Sequence, residues 1–316
     1  MLDVLLLIGG LGLLTVAADR FVIGAARLST ALRISPVIVG AIVIGFGTST
    51  PEFLVTVLAT LRGSQDLAFG NIVGSNTANV LLVLGAAGVA RPLMIGAATL
   101  RRELPLMLLA VLLLAAVSAD GRVSALDAAV LLAAAAAAIA IIVVVGLRDR
   151  EAAKSLAAEV AGYSGQAPPS VPRSALLAVV GLLGTLLGAQ MLVSGAVGIA
   201  RALRVSEAVI GLTIVAVGTS LPELVTAIAA ARRDESDLVV GNILGSNLFN
   251  SLPVAGVAGA LATTTLGRTF LLSLGIMVVA CGLAAVLLRS GRRLVRGEAA
   301  LLLVGFVAAT IAVAFF

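Results

Sequence analysis

The residues best able to do chemistry are two glutamates, Glu52 and Glu223, each near the middle of an otherwise apolar stretch. A carboxylate at bilayer depth costs at least ~2.5–3.5 kcal/mol, so it faces a cavity or a partner and often marks an ion path. A structural carboxylate paired with Arg is the competing explanation. Arg20 is the one obvious intramembrane partner, and its counterpart 171 residues on is Met191. Thr48 and Thr219 lie four residues before the two glutamates, which puts hydroxyl and carboxylate on one helix face. Pro51 and Pro222 stand directly before the acids. Proline removes an N–H and crowds the carbonyl four residues back, here Gly47 and Gly218. Each helix is therefore expected to break and to turn freed carbonyl oxygens into a cavity, where protein or water can satisfy them. A mere proline kink is the alternative.

A second wall comes from Asn71, Ser75 and Asn79, spaced four apart, and from Asn242, Ser246 and Asn250 with the same spacing. Each set is one polar stripe on an apolar helix. Ser75, Asn79, Ser246 and Asn250 are expected to face the cavity, while Asn71 and Asn242 suit a bond between helices equally well. Gly70/Gly74 and Gly241/Gly245 are small-xxx-small pairs that permit close backbone approach. The donors are carboxylates, hydroxyls, amide oxygens and carbonyls. The chain has no His and one cysteine, Cys281, which excludes disulfide frameworks and His/Cys zinc sites. All-oxygen sites suit hard cations such as Ca²⁺, Na⁺, Mg²⁺ or Mn²⁺, and flexible ligands from four helices favour Ca²⁺ over octahedral Mg²⁺. Two carboxylates neutralise one divalent ion. No cofactor is expected.

The elements that must hold these residues are membrane helices. The 316 residues are 60% hydrophobic and only 12% charged, with mean hydropathy +1.19. Residues 102–119, 124–147, 268–288 and 297–316 are nearly uncharged runs of the ~20 residues needed to cross a bilayer core. The apolar pattern predicts ten helices at 2–30, 36–61, 67–90, 102–119, 124–147, 172–203, 207–232, 238–260, 268–288 and 297–316. No basic n-region precedes Leu2–Ala18, which is expected to open a helix and not a cleaved signal. The net charge of +5 comes from Arg residues placed singly or in pairs between apolar segments, without the basic stripe of a nucleic-acid binder. The polar stretch 148–171, with Pro168 and Pro169, has linker composition.

The chain also repeats itself. Gly47-Thr48-Ser49-Thr50-Pro51-Glu52 recurs as Gly218-Thr219-Ser220-Leu221-Pro222-Glu223, and Gly70-Asn71 through Gly74-Ser75-Asn76 recurs as Gly241-Asn242 through Gly245-Ser246-Asn247. The offset is 223 − 52 = 171 for the acids and 242 − 71 = 171 for the asparagines. Residues 1–147 and 172–316 are thus expected to be two five-helix repeats. Five is odd, so the second enters from the opposite face and the repeats are inverted, an architecture that places a transporter's site at mid-membrane. Fifteen Lys and Arg residues fall after odd-numbered helices and five after even-numbered ones. That bias puts the odd loops and 148–171 in the cytoplasm and both termini outside.

On these paired motifs the chain resembles the calcium/cation antiporter superfamily, specifically its sodium/calcium exchanger-like members of compact prokaryotic type. The resemblance implies an all-α, ten-helix protein of the cell (inner) membrane that extrudes Ca²⁺ against Na⁺ entry, with the first and sixth helices sliding across the other eight. It implies Glu52 and Glu223 as shared Ca²⁺ and Na⁺ carboxylates. Thr48, Ser49, Thr219 and Ser220 would add hydroxyl or carbonyl oxygens, Gly45 and Ala216 backbone carbonyls, and Ser75, Asn79 and Ser246 would complete the Na⁺ sites. Asn250 departs from the family, which often places Asp there, and this removes one charge that could bear on Na⁺ or proton coupling. The 148–171 segment is too short for the regulatory domain of animal exchangers.

Ca²⁺/H⁺ antiport is the alternative, with the glutamates taking protons, although proton-coupled relatives tend to carry a further acid where Asn79 and Asn250 stand. A channel would call for a continuous pore lined by acidic rings. An intramembrane enzyme lacks His and any general base for Ser49 or Ser220 other than the glutamates. The expected partners are Ca²⁺, Na⁺ and the lipid bilayer, with no nucleic acid and no obligatory protein partner.

Overall fold

The computed structural model describes residues 2–32, 34, 36–160, 170–204 and 216–314. It is helical apart from four two-residue strands. The helices are α1 (Leu2–Leu32), α2 (Pro36–Val39 continued by Gly40–Thr48), α3 (Thr50–Leu61), α4 (Gln65–Ala90), α5 (Glu103–Val117), α6 (Ala125–Val160), α7 (Val171–Ala202), α8 (Ala216–Thr219), α9 (Leu221–Arg232), α10 (Ser236–Leu261), α11 (Arg268–Arg289) and α12 (Arg296–Ala314). Seven described helices are long and apolar enough to cross a membrane, or eight if the pair bent by 46° between Thr48 and Thr50 counts as one span. The predicted helix 207–232 falls partly outside the described residues, which resume at Ala216.

One expectation changes. Residues 148–160, anticipated as linker, continue α6 as helix to Val160. Their composition accounts for it: Ala152, Ala153, Lys154, Leu156, Ala157, Ala158 and Glu159 are strong helix formers with no Gly or Pro among them. The two prolines at 168–169 lie outside the described residues.

Helices related by the offset of 171 residues pack in matching ways. α4 lies against α11 and α12, while α10 lies against α5 and α6. Short strands tie the same elements together. β1 (Leu93–Met94) pairs antiparallel with β4 (Arg293–Leu294), and β2 (Arg122–Val123) with β3 (Thr264–Thr265). α1 and α7 form the most extensive helix pair, made possible by glycine. A Cβ built on Gly10 would lie 2.5 Å from the backbone N of Leu192, and one on Gly181 2.5 Å from that of Phe21. Any side chain there would force the helices apart. A Cβ built on Gly245 would likewise run into the Ala41 backbone. The contact equivalent to Gly245–Ala41 would join Gly74 to residue 212, since 41 + 171 = 212, and residue 212 lies outside the described residues.

Candidate ion site

Both glutamates open a helix just past a break. Ser49 (φ −79°, ψ 9°) separates α2 from α3, and Ser220 (φ −87°, ψ 5°) separates α8 from α9. Pro51 and Pro222 occupy the first turn of the second limb, where a missing N–H costs no helical hydrogen bond. The proline effect on the first carbonyl is absorbed locally: Thr50 Oγ1 donates to Gly47 O at 2.8 Å. That bond gives the freed carbonyl one partner within the break itself.

Neither serine caps its own helix by a side-chain bond. The Ser49 hydroxyl instead crosses between repeats and donates to Glu223 Oε1 at 2.9 Å. The Thr48 hydroxyl donates back to Ile44 O at 3.0 Å and lies 3.3 Å from Asn242 Oδ1. Thr48 and Glu52, expected to share one helix face, lie on either side of the break at Ser49, which interrupts the helical register. Ser246 Oγ donates to Gly45 O at 3.1 Å, so the Gly45 carbonyl points toward α10. Ala216 opens α8 one turn before Ser220. Thr219, its last residue, is half-buried.

The two asparagines with two possible roles hold helices together. Asn71 Nδ2 donates to Glu52 O at 3.1 Å, and Asn242 Nδ2 donates to Glu223 O at 3.4 Å. These paired bonds fix each glutamate's backbone against the neighbouring helix. Ser75, Asn79, Ser246 and Asn250 are buried together with Thr48, Ser49, Ser220 and both glutamates.

Among the described residues several of these buried atoms have no hydrogen-bond partner: Glu52 Oε2, Glu223 Oε2, Ser220 Oγ, Asn79 Oδ1, and both Oδ1 and Nδ2 of Asn250. Buried polar groups are seldom left orphaned, because each costs about 1–3 kcal/mol. Among the described residues no Lys or Arg pairs with either glutamate. Arg20, the candidate partner, is exposed. Two buried carboxylates among unpartnered neutral oxygens are donors that a hard cation could use.

Some residues of the site were not singled out from sequence. Asn79 Nδ2 donates to Asn247 Oδ1 at 3.1 Å, Asn247 Nδ2 to Asn76 O at 3.3 Å, and Asn76 Nδ2 to Ser251 Oγ at 2.8 Å. Asn247 thus holds the Asn79 amide and is itself held by the Asn76 carbonyl. Their recurrence at the offset of 171 was visible, since 247 − 76 = 171, but they lie off the four-residue stripe. Asn79 and Asn250 also each begin a π-helical turn, Asn79–Val83 and Asn250–Val254. Such turns widen the backbone and recur at functional sites.

The described helices include seven long and apolar enough to cross a membrane, and they hold two buried carboxylates among neutral oxygens, the features of an integral membrane protein that handles hard cations. The chain belongs to the sodium/calcium exchanger protein family, whose profile matches residues 2–144 and again residues 173–315. It is thereby a membrane antiporter of the calcium/cation superfamily. The chain is 37% identical to the putative antiporter CaxA of Alkalimonas amylolytica, over 94% of each chain. It is 24% identical to the sodium/calcium exchanger MaX1 of Methanosarcina acetivorans, over 96% of each. Its fold matches that of the sodium-calcium exchanger NCX_Mj with a TM-score of 0.85 and 31% identity, over 98% of each chain.

Proposed function

We propose that the chain exchanges Ca²⁺ for Na⁺ across the cell membrane by alternating access. The observation that carries this is the set of orphan buried oxygens on Glu52, Glu223, Ser220, Asn79 and Asn250. Glu52 and Glu223 supply the two negative charges that balance one Ca²⁺. Thr48, Ser49, Thr219, Ser220, Ser75, Ser246, Asn79 and Asn250, with the carbonyls of Gly45 and Ala216, supply neutral oxygens that Ca²⁺ and Na⁺ both accept. Both ions need the same carboxylates, so binding one displaces the other, as exchange requires. The names of MaX1 and NCX_Mj, both sodium/calcium exchangers, support the ion pair.

The architecture we propose is ten spans in two inverted repeats, 1–147 and 172–316, joined through 148–171 on the cytoplasmic side, with both termini outside. Two features support it. The profile matches are offset by 173 − 2 = 171 and 315 − 144 = 171 residues. The strands obey the same offset, 264 − 93 = 171 and 293 − 122 = 171, so β1·β4 and β2·β3 are one contact repeated by a pseudo-two-fold axis. The glycine-lined α1–α7 pair suits a unit that slides as one body. One chain supplies both halves of the site, so no protein partner is required.

The test is radioactive Ca²⁺ uptake into proteoliposomes under an outward Na⁺ gradient or an outward H⁺ gradient, with the membrane potential clamped. Uptake driven by Na⁺ alone is expected. Uptake driven by H⁺ alone would assign the Ca²⁺/H⁺ alternative, and uptake under neither would overturn the proposed ion.

A further inference from the structure

The two repeats share a sequence pattern but not a packing state. α1 lies along α9, and the α9 residues Val225, Ile228 and Ala229 are half-buried. The equivalent pair is α7 with α3, since 229 − 171 = 58 places Leu58 opposite Ala229. There α7 makes no comparable packing on α3, and Leu54 and Leu58 are 52% and 50% exposed. The α1–α9 contact is therefore closed and its counterpart, α7–α3, is open.

Among the described residues one ion pair joins α1 to the end of α9. Arg233, just past the end of α9, donates through Nε to Asp19 Oδ1 at 2.6 Å and through Nη2 to Asp19 Oδ2 at 2.7 Å. The two groups stand on opposite walls of a cavity of about 450 Å³ between α1 and α9, lined also by Thr15, Val225, Ile228 and Ala229. The fork-to-carboxylate geometry is bidentate, which fixes direction as well as distance. The other repeat cannot copy it. The counterpart of Asp19 is Gln190 and that of Arg233 is Arg62. Gln190 is exposed and donates within its own helix to Ser194 Oγ at 3.3 Å, while Arg62 is exposed.

We propose that Asp19 and Arg233 are positioning residues that latch α1 onto α9 and so set which side of the membrane the site opens to at rest. The latch closes the side carrying the α9–α10 turn and leaves the α3 side open, so in the orientation above the carrier rests facing outward. This rests on alternating access, which gives the α1–α7 pair two positions. Opening the covered side means drawing Asp19 from Arg233, and no charged pair forms on the other side in compensation. The latch thus biases a two-position equilibrium in one direction.

The experiment reads position without transport. Single cysteines are introduced at Leu58 and at Ala229, and their maleimide labelling rates are compared in purified protein, with the parent and its buried Cys281 as blank. In the parent background Leu58→Cys labels faster than Ala229→Cys. Adding Asp19→Asn or Arg233→Gln is expected to raise the Ala229→Cys rate relative to Leu58→Cys by up to about fivefold, the most an exposed pair supplies. The charge swap Asp19→Arg with Arg233→Asp is expected to restore the parent ratio. Unchanged ratios in both single variants would overturn the latch, and so would a shift that the swap fails to reverse. Labelling does not depend on the transported ion, so failure of Na⁺-driven Ca²⁺ uptake would refute the proposed ions while leaving this result readable.

Discussion

The Ser49–Glu223 bond separates two serines that the sequence presents as equivalents. Ser49 and Ser220 stand at the same place in the two repeats, and both are buried. Only the Ser49 hydroxyl has a partner, the Glu223 carboxylate at 2.9 Å, whereas Ser220 Oγ has none. Replacing Ser49 with Ala removes a bond to a charged acceptor and strands Glu223 Oε1, a loss of about 1.5–3 kcal/mol. Replacing Ser220 with Ala removes an orphan group and should cost less than ~0.5 kcal/mol in the ion-free protein. At ~2 °C per kcal/mol for a large chain, Ser49→Ala should melt roughly 3–6 °C lower than the parent in chelator, and Ser220→Ala within about 1 °C of it. The assay is thermal unfolding of detergent-purified protein with and without Ca²⁺. Added Ca²⁺ stabilises the parent through binding, and both variants should gain less from it, because each has lost an oxygen that the ion uses. Equal melting of the two variants in chelator would refute the asymmetric bond. A full Ca²⁺-induced gain in Ser220→Ala would remove that hydroxyl from the ion site.

Further outcomes follow from the same geometry. Glu52→Gln and Glu223→Gln should each abolish Ca²⁺ uptake and Ca²⁺-induced stabilisation while leaving a folded protein, because one remaining charge cannot balance a divalent ion; normal uptake by either would dismiss the site. Gly181→Ala should destabilise the protein by about 1–3 kcal/mol through overpacking, since its Cβ would lie 2.5 Å from the Phe21 backbone. Gly275→Ala, with no atom within 4 Å of its Cβ, should instead be neutral or gain up to about 1 kcal/mol of helix propensity; the thermal assay compares the two. Asn250→Asp puts a third carboxylate where both amide atoms are unpartnered. It should steepen the Na⁺ dependence of uptake, and an unchanged curve would mean that residue 250 does not face the ions.

The parts of this fold that were legible in sequence are those written twice or written within one helix. Glu52 and Glu223 stood out because a carboxylate in an apolar run needs a reason, and the constant offset of 171 residues removed chance as that reason. Helix limits such as 36–61 and 268–288 follow from apolar length and match α2–α3 and α11 to within a residue or so. Partners across the repeats were not legible. A four-residue spacing predicts that Thr48 and Glu52 share a face, but helical spacing holds only while the helix continues. Once Ser49 takes non-helical angles, its hydroxyl is free to turn toward the other repeat's glutamate. The π turns at Asn79 and Asn250 were hidden for a related reason. They add backbone width without altering the apolar pattern, and their cause is packing against the opposite repeat.

The repeat also misleads where it is most persuasive. Sequence symmetry suggests that each residue and its counterpart do the same work, yet an exchanger open to both sides at once would leak. The two halves must therefore occupy different states at any moment, and a symmetric chain alone would leave both sides equally populated. Departures from the repeat are the residues that can bias the choice: Asp19 against Gln190 at the α1–α9 contact, and Phe249 against Ala78 beside the site. Phe249 packs on Phe46 with ring centroids 4.7 Å apart, and Ala78 has no ring to offer the second repeat. The shared positions thus define the ion that is held, and the unshared ones define the side from which it is reached.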